Sequence, residues 1–184
     1  KEKGVFLKLD ISRAFDSLCW PFLFDVLLAK GFGPKWLRWI AILLSTASTK
    51  VVVNGIPGLS FCHAQGLRQG DPVLPLLFVI AMDVLTKIFI KGEEGGAISA
   101  FSGIEALQRL SIYADDVALF VRPTEQDLGF VTEALRAFGD ASGLRVNYAK
   151  SSAILIRGDD LDRDRVAAML NCSLTEFPCK YLGL

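Results

Sequence analysis

The chain has 184 residues, 52% of them apolar, with 20 basic and 20 acidic side chains and a formal net charge of zero. That length supports one core, or one domain and part of another, and neutrality argues against a module that coats nucleic acid through bulk positive charge, though not against an enzyme with a local groove. Residues 73–82, the longest apolar run, contain Pro75 and stop at Asp83, too short to span a bilayer; no signal peptide or initiator Met opens the chain, and Cys19, Cys62, Cys172 and Cys179 lack zinc-ribbon spacing, so the expectation is an intracellular protein with reduced thiols, no membrane partner, and a longer parent.

In chain order, residues 5–11 alternate, with Val5, Leu7, Leu9 and Ile11 on one face and Phe6, Lys8 and Asp10 on the other. This predicts a strand with Asp10 near its end. Residues 12–16 leave the strand, and a helix follows through Leu28 until Gly31-Phe32-Gly33 stops it; Pro34 opens another helix carrying Trp36, Trp39, Ile40 and Leu44. Residues 50–53 form a β-rich run ending in Asn54-Gly55, a hairpin signal, with residues 59–65 as the returning strand. Gly66-Leu67-Arg68-Gln69-Gly70-Asp71-Pro72 then breaks the pattern, either as a loop that brings backbone close to a ligand or as a plain connection. The next helix runs to about residue 90, and two starts are open: Asp71 caps it ahead of Pro72, or Leu74 is a poor cap ahead of Pro75. Residues 91–96 read as a flexible connection and residues 97–101 as a short strand.

Leu110-Ser111-Ile112-Tyr113-Ala114-Asp115-Asp116-Val117 reads as a hairpin with two acids at or beside its tip, either an ordinary acidic turn or a metal site. A helix follows to about residue 141 and ends at Ser142-Gly143; residues 152–156 form a strand and residues 159–171 a charged helix. The whole is an α+β plan, an antiparallel sheet with helices packed on one face. In such a sheet Asp10 can lie beside Asp115 and Asp116. Three carboxylates that close repel one another unless a cation intervenes, and oxygen-only donors favour Mg2+, with Mn2+ as the alternative. Two such ions about 3.5–4 Å apart serve in-line phosphoryl transfer. No Gly-Lys-Ser phosphate loop is present, which argues against a P-loop nucleotidase.

Five stretches in order carry a resemblance: Leu9-Asp10-Ile11-Ser12-Arg13-Ala14-Phe15-Asp16, Arg68-Gln69-Gly70-Asp71-Pro72, Tyr113-Ala114-Asp115-Asp116, Ser142-Gly143-Leu144 with Asn147 and Lys150, and Tyr181-Leu182-Gly183. Together they resemble the non-LTR (LINE-type) retrotransposon reverse transcriptases, the plant type most of all. The resemblance implies a partial reverse transcriptase domain over residues 1–184, with a fingers-like portion near residues 34–72, a palm for the remainder, and the start of a primer-grip region at residues 176–184. It implies an RNA-directed DNA polymerase using two Mg2+ ions, a deoxynucleoside triphosphate, an RNA template and a DNA primer, with a nuclear location. Asp10, Asp115 and Asp116 would be its catalytic metal ligands, joined by the Ile11 carbonyl. Phe15 would be the aromatic gate under the sugar; Arg68, Gln69 and Gly70 would shape the nucleotide site, and Lys150 would assist pyrophosphate departure. Tyr113 would lie near the primer end, with Tyr181, Leu182 and Gly183 in the primer grip. Arg13 stands where the family usually has Lys, and Val73-Leu74-Pro75 where it usually has Leu-Ser-Pro, so loss of a helix cap at Leu74 is expected. The triphosphate-binding upstream fingers, the thumb and an endonuclease lie outside these residues. Two other readings remain open at this point: an inactive relic of such an element, and a maturase-like RNA-binding module on the same scaffold.

Overall fold

The structure, a computed structural model, describes residues 2–68, 70–101 and 106–179. In chain order its elements are β1 (Gly4–Asp10), α1 (Ala14–Ser17), α2 (Trp20–Ala29), α3 (Pro34–Ser45), β2 (Ser48–Val53), β3 (Ile56–Cys62), α4 (Leu74–Glu94), a 3-10 turn (Ala106–Arg109), β4 (Leu110–Tyr113), β5 (Asp116–Val121), α5 (Glu125–Ser142), β6 (Ser152–Ile156), α6 (Asp160–Met169) and β7 (Ser173–Thr175). The alternation in β1 makes it the centre of a sheet ordered β4-β5-β1-β6-β7. Both neighbours of β1 run antiparallel to it, and only the short β7 runs parallel, against β6.

One face of this sheet carries Val5, Leu7, Leu9, Val117, Leu119 and Ala153, all buried in one core with Leu23 and Leu27 of α2, Phe78 and Leu85 of α4, and Val131 and Leu135 of α5. Burial of that apolar area is the main favourable term in holding the helices down. Among the described residues the other face has only Phe6, Ala118 and Ile154 as buried apolar residues, with Phe120, Ile156 and Cys179 packed around them. Helices on one face of a mainly antiparallel sheet are the α+β class that the pattern predicts.

Several elements differ from the sequence-based expectation. The helix expected after residue 16 and through Leu28 begins only at Trp20; residues 14–17, at the expected exit from the strand, form a short helix of their own, with Leu18 and Cys19 extended between the two. Pro21 explains the break: it fits the first turn of α2 but would remove a hydrogen bond from the interior of a longer helix. The returning hairpin strand begins at Ile56, directly after Asn54 (φ 51°) and Gly55 (φ 80°), the positive-φ pair that a two-residue turn requires. Neither expected start of α4 holds. Val73 is the cap residue, with no side-chain capping bond, and Leu74 is the first helical residue, 1% exposed. The Asp71 carboxylate accepts the Val73 N–H at 2.9 Å one step earlier. Residues 91–94 are helical rather than a flexible connection, because Gly92 is where α4 meets α5: a Cβ there would fall 2.2 Å from the Phe130 ring. Residues 97–101 form no strand; Ser99 instead donates its N–H and its hydroxyl to Asp127 Oδ1 at 3.1 and 2.9 Å.

Candidate active site

The register of β1 against β5 sets Asp10 directly opposite Asp116. Residues opposite one another on adjacent strands share a face, so these two acids lie together on the sheet face that the helices leave uncovered. Asp115 is the second loop residue of the β4–β5 hairpin. Ala114 before it takes φ 51°, the left-handed backbone that a tight hairpin turn requires at its first loop position. The turn is tied to β1 because Ile11 donates its N–H to the Asp115 carbonyl at 3.0 Å. The segment after α5 closes the other side: Ser12 donates to the Arg145 carbonyl at 2.8 Å, and Ile11 bridges to Val146.

These links form a polar cleft of about 360 Å³. Asp10, Ile11, Arg13, Phe15 and Asp16 line it together with Asp115, Asn147 and Lys150. Asp116 is half-buried and stands outside that lining. Among the described residues no three His, Cys, Asp or Glu side chains lie close enough to hold one ion. Of the three expected acids, Asp10 and Asp115 line the cleft, with Asp16 as a further acid in its lining, and Asp116 stands outside it as the cross-strand partner of Asp10.

Phe15 sits on the short helix α1 and stacks on the buried Phe78 ring of α4, with centroids 4.7 Å apart and planes at 21°. The loop after β3 is pinned nearby: Gly66 donates its N–H to the Leu18 carbonyl at 2.8 Å, and Trp20 Nε1 donates to the Gly66 carbonyl at 2.7 Å. Gly66 has φ 80°, and a Cβ there would fall 2.6 Å from the Asp16 carbonyl oxygen, so only glycine permits this approach. Beyond it Arg68 and Gly70 are exposed and outside the cleft wall. Gln69 lies outside the described residues, as do Tyr181, Leu182 and Gly183. Tyr113, at the end of β4, is 65% exposed. Phe78 and Ser151 were not singled out by sequence reasoning. The first looks like any core aromatic of a helix, and the second, a small hydroxyl before a strand, carries no local signal.

A helix-backed sheet with acids at the ends of its adjoining central strands is the arrangement of a polymerase palm. The chain belongs to the reverse transcriptase (RNA-dependent DNA polymerase) family, which it matches over residues 1–184. It is 27% identical over 175 residues to the retrovirus-related Pol polyprotein from type-2 retrotransposable element R2DM of Drosophila melanogaster, a match covering 95% of this chain and 15% of that protein. It is 30% identical over 152 residues to the transposon TX1 uncharacterized 149 kDa protein of Xenopus laevis, covering 82% of this chain and 11% of that one. The chain thus spans a small part of these relatives. The fold is similar to that of apo telomerase from Candida tropicalis truncated from its C-terminal domain, with a TM-score of 0.65 at 16% identity over 87% of this chain and 32% of that one. Among the described residues no helix is long and apolar enough to cross a membrane.

Proposed function

We propose that this chain is the palm, with part of the fingers, of the RNA-directed DNA polymerase of a non-LTR retroelement, adding deoxynucleotides to a DNA primer on an RNA template, with a nuclear site of action. Residues 34–72 belong to the fingers and residues 176–184 open the primer grip. The observation that carries this reading is the shared cleft of Asp10 and Asp115, two acids far apart in sequence, with Lys150 in the same lining.

The donor set suits magnesium, or manganese in its place. Asp10, Asp115 and the Ile11 carbonyl are hard oxygen donors, with Asp116 next to them. Magnesium is usually held by one or two carboxylates plus substrate phosphates, not by an all-protein cage, so a site in which, among the described residues, no three acids lie close enough to hold one ion fits an ion whose shell the triphosphate completes. When bound, a pair of such ions supplies the charge that acidifies the primer 3′-hydroxyl and steadies the phosphates. The protein's part is placement. Asp10 and Asp115 present carboxylate oxygens to the cleft. The Phe15 ring, braced by Phe78, fills the space under the sugar where a 2′-hydroxyl would sit. Lys150 Nζ carries a proton available to the departing pyrophosphate oxygen. Arg68, Gln69 and Gly70 border the incoming nucleotide; Tyr113, with Tyr181, Leu182 and Gly183, holds the primer end.

Primer extension on an RNA template with magnesium, by this chain and by the longest reading frame that contains it, tests the reading. Incorporation is expected to fall on the order of 10²–10³-fold or more in Asp115→Asn. Incorporation indifferent to that change rejects the assigned chemistry, and none from the longer frame points to a relic.

A further inference from the structure

The pairing of β1 with β6 ends at the Lys8–Ser152 rung. Asp10 lies two residues further on, where among the described residues no strand pairs with its backbone on that side. The turn entering β6 takes over. Asn147 donates its N–H to the Asp10 carbonyl at 2.8 Å, and the Asp10 N–H donates to the Ser151 hydroxyl at 3.1 Å. That hydroxyl donates onward to the Asn147 carbonyl at 2.8 Å, which closes a loop of hydrogen bonds through one side chain. Lys150 sits inside the same turn, its N–H donating to the Asn147 carbonyl at 3.1 Å. Ser151 itself is 1% exposed, so its hydroxyl has no access to the cleft and cannot touch a substrate.

We propose that Ser151 is a positioning residue: its buried hydroxyl locks the backbone of Asp10 to the 147–151 turn, so that the Asp10 carboxylate and the Lys150 ammonium keep one relative placement in the cleft. Replacing the hydroxyl with hydrogen, as Ser151→Ala does, removes only one oxygen but leaves the Asp10 amide without its acceptor, a loss that falls on the strand end and not on the core. The strand end and the turn then move independently. Placement of the acid for metal binding rests on the polymerase reading; the lock itself does not.

The test has two arms, both on the 184-residue chain. Amide hydrogen exchange without metal compares the natural chain with Ser151→Ala, Ser151→Cys and Ser151→Thr. Cysteine keeps the shape with a poor acceptor; threonine keeps the oxygen. Exchange at Asp10 and Asn147 is expected to quicken on the order of tenfold in the Ala and Cys variants, with Leu7 and Leu119 inside the sheet unchanged. Unaltered exchange at Asp10, or quickening spread evenly over the sheet, overturns the lock. In the second arm, Mn2+ binding is followed by electron paramagnetic resonance. Affinity is expected to drop about tenfold in the Ala and Cys variants and to return with threonine. Should the threonine variant not fold, the cysteine variant decides alone: natural affinity there overturns the placement of Asp10. No Mn2+ binding by the natural chain rejects the metal part of the polymerase reading, and hydrogen exchange still judges Ser151.

Discussion

Phe15 meets two demands with one ring. It borders the cleft, and it stacks on Phe78 of α4, so its position is fixed by the core rather than by the loop it follows. Phe15→Val removes the stacking, worth about 0.5–1.5 kcal/mol beyond the apolar area lost, and, on the proposed reading, opens space beneath the sugar. The expected outcome is a rise on the order of 10–100-fold in ribonucleotide relative to deoxynucleotide incorporation, measured by single-nucleotide extension with matched substrates; a lower melting temperature with unchanged sugar choice would leave Phe15 as core alone. Gly143 shows the same economy in backbone form. It ends α5 with φ 80°, and a Cβ would fall 2.3 Å from the Ser17 carbonyl oxygen. That contact lets Cys19 donate its N–H to the Ser142 carbonyl at 2.8 Å, joining α2 to the end of α5. Gly143→Ala is expected to cost about 2 kcal/mol or more, read by urea denaturation, and a neutral result would show that the two backbones can separate freely.

At the scale of elements, what was legible depended on whether a signal was local. β1, the acidic hairpin, α5 and α6 were legible because period-two alternation, Asp-rich turn chemistry and the Ser142-Gly143 stop act within a few residues. Their juxtaposition followed from the α+β plan, which is why Asp10 and Asp115 could be paired in advance. The break at Cys19 was missed because the apolar pattern runs through it, although Pro21 marks it. The helical state of residues 91–94 was hidden because Gly92 is favoured there by the Phe130 ring, a contact from another helix. The start of α4 shows how tertiary burial overrides a capping rule. Leu74 reads as a failed cap, yet it is the first helical residue and fully packed, so a cap would be bought with core area. Leu74→Ser is therefore expected to destabilise, in the range of about 2–5 kcal/mol seen for large-to-small core changes, while Asp71→Ala costs about 0.5–2 kcal/mol through loss of its bond to the Val73 N–H. A gain in stability on denaturation of Leu74→Ser would restore the capping account.

For the molecule as a whole, the segment ahead of β1 is joined by charge to the start of α6. Lys3, ahead of β1, reaches Asp159 at 2.6 Å and Asp162 at 2.7 Å, and those acids form the capping box of α6, each accepting the other's backbone N–H. The hydrogen bond from Lys3, aided by the Asp162 N–H, holds the Asp159 carboxyl down at about 2, and Asp162 is lowered as well, first by Lys3. A carboxyl whose folded value lies below its unfolded one binds fewer protons in the native state, so it contributes stability that is whole above the unfolded value and lost as pH falls through the folded one. The window is therefore pH 4 down to about 2, and not the neutral range. Since Asp159 and Lys3 are both solvent-exposed, their contribution is also open to screening by salt. Asp159→Asn is expected to flatten the fall of melting temperature between pH 4 and pH 2 while leaving the curve from pH 5 to pH 8 nearly parallel to the parent's, and 1 M salt is expected to reduce the difference between the two proteins. Lys3→Met removes the same partner from the other side and should reproduce the flattening. If either variant instead shifts the whole curve by a constant amount, the two segments are joined by packing and not by charge.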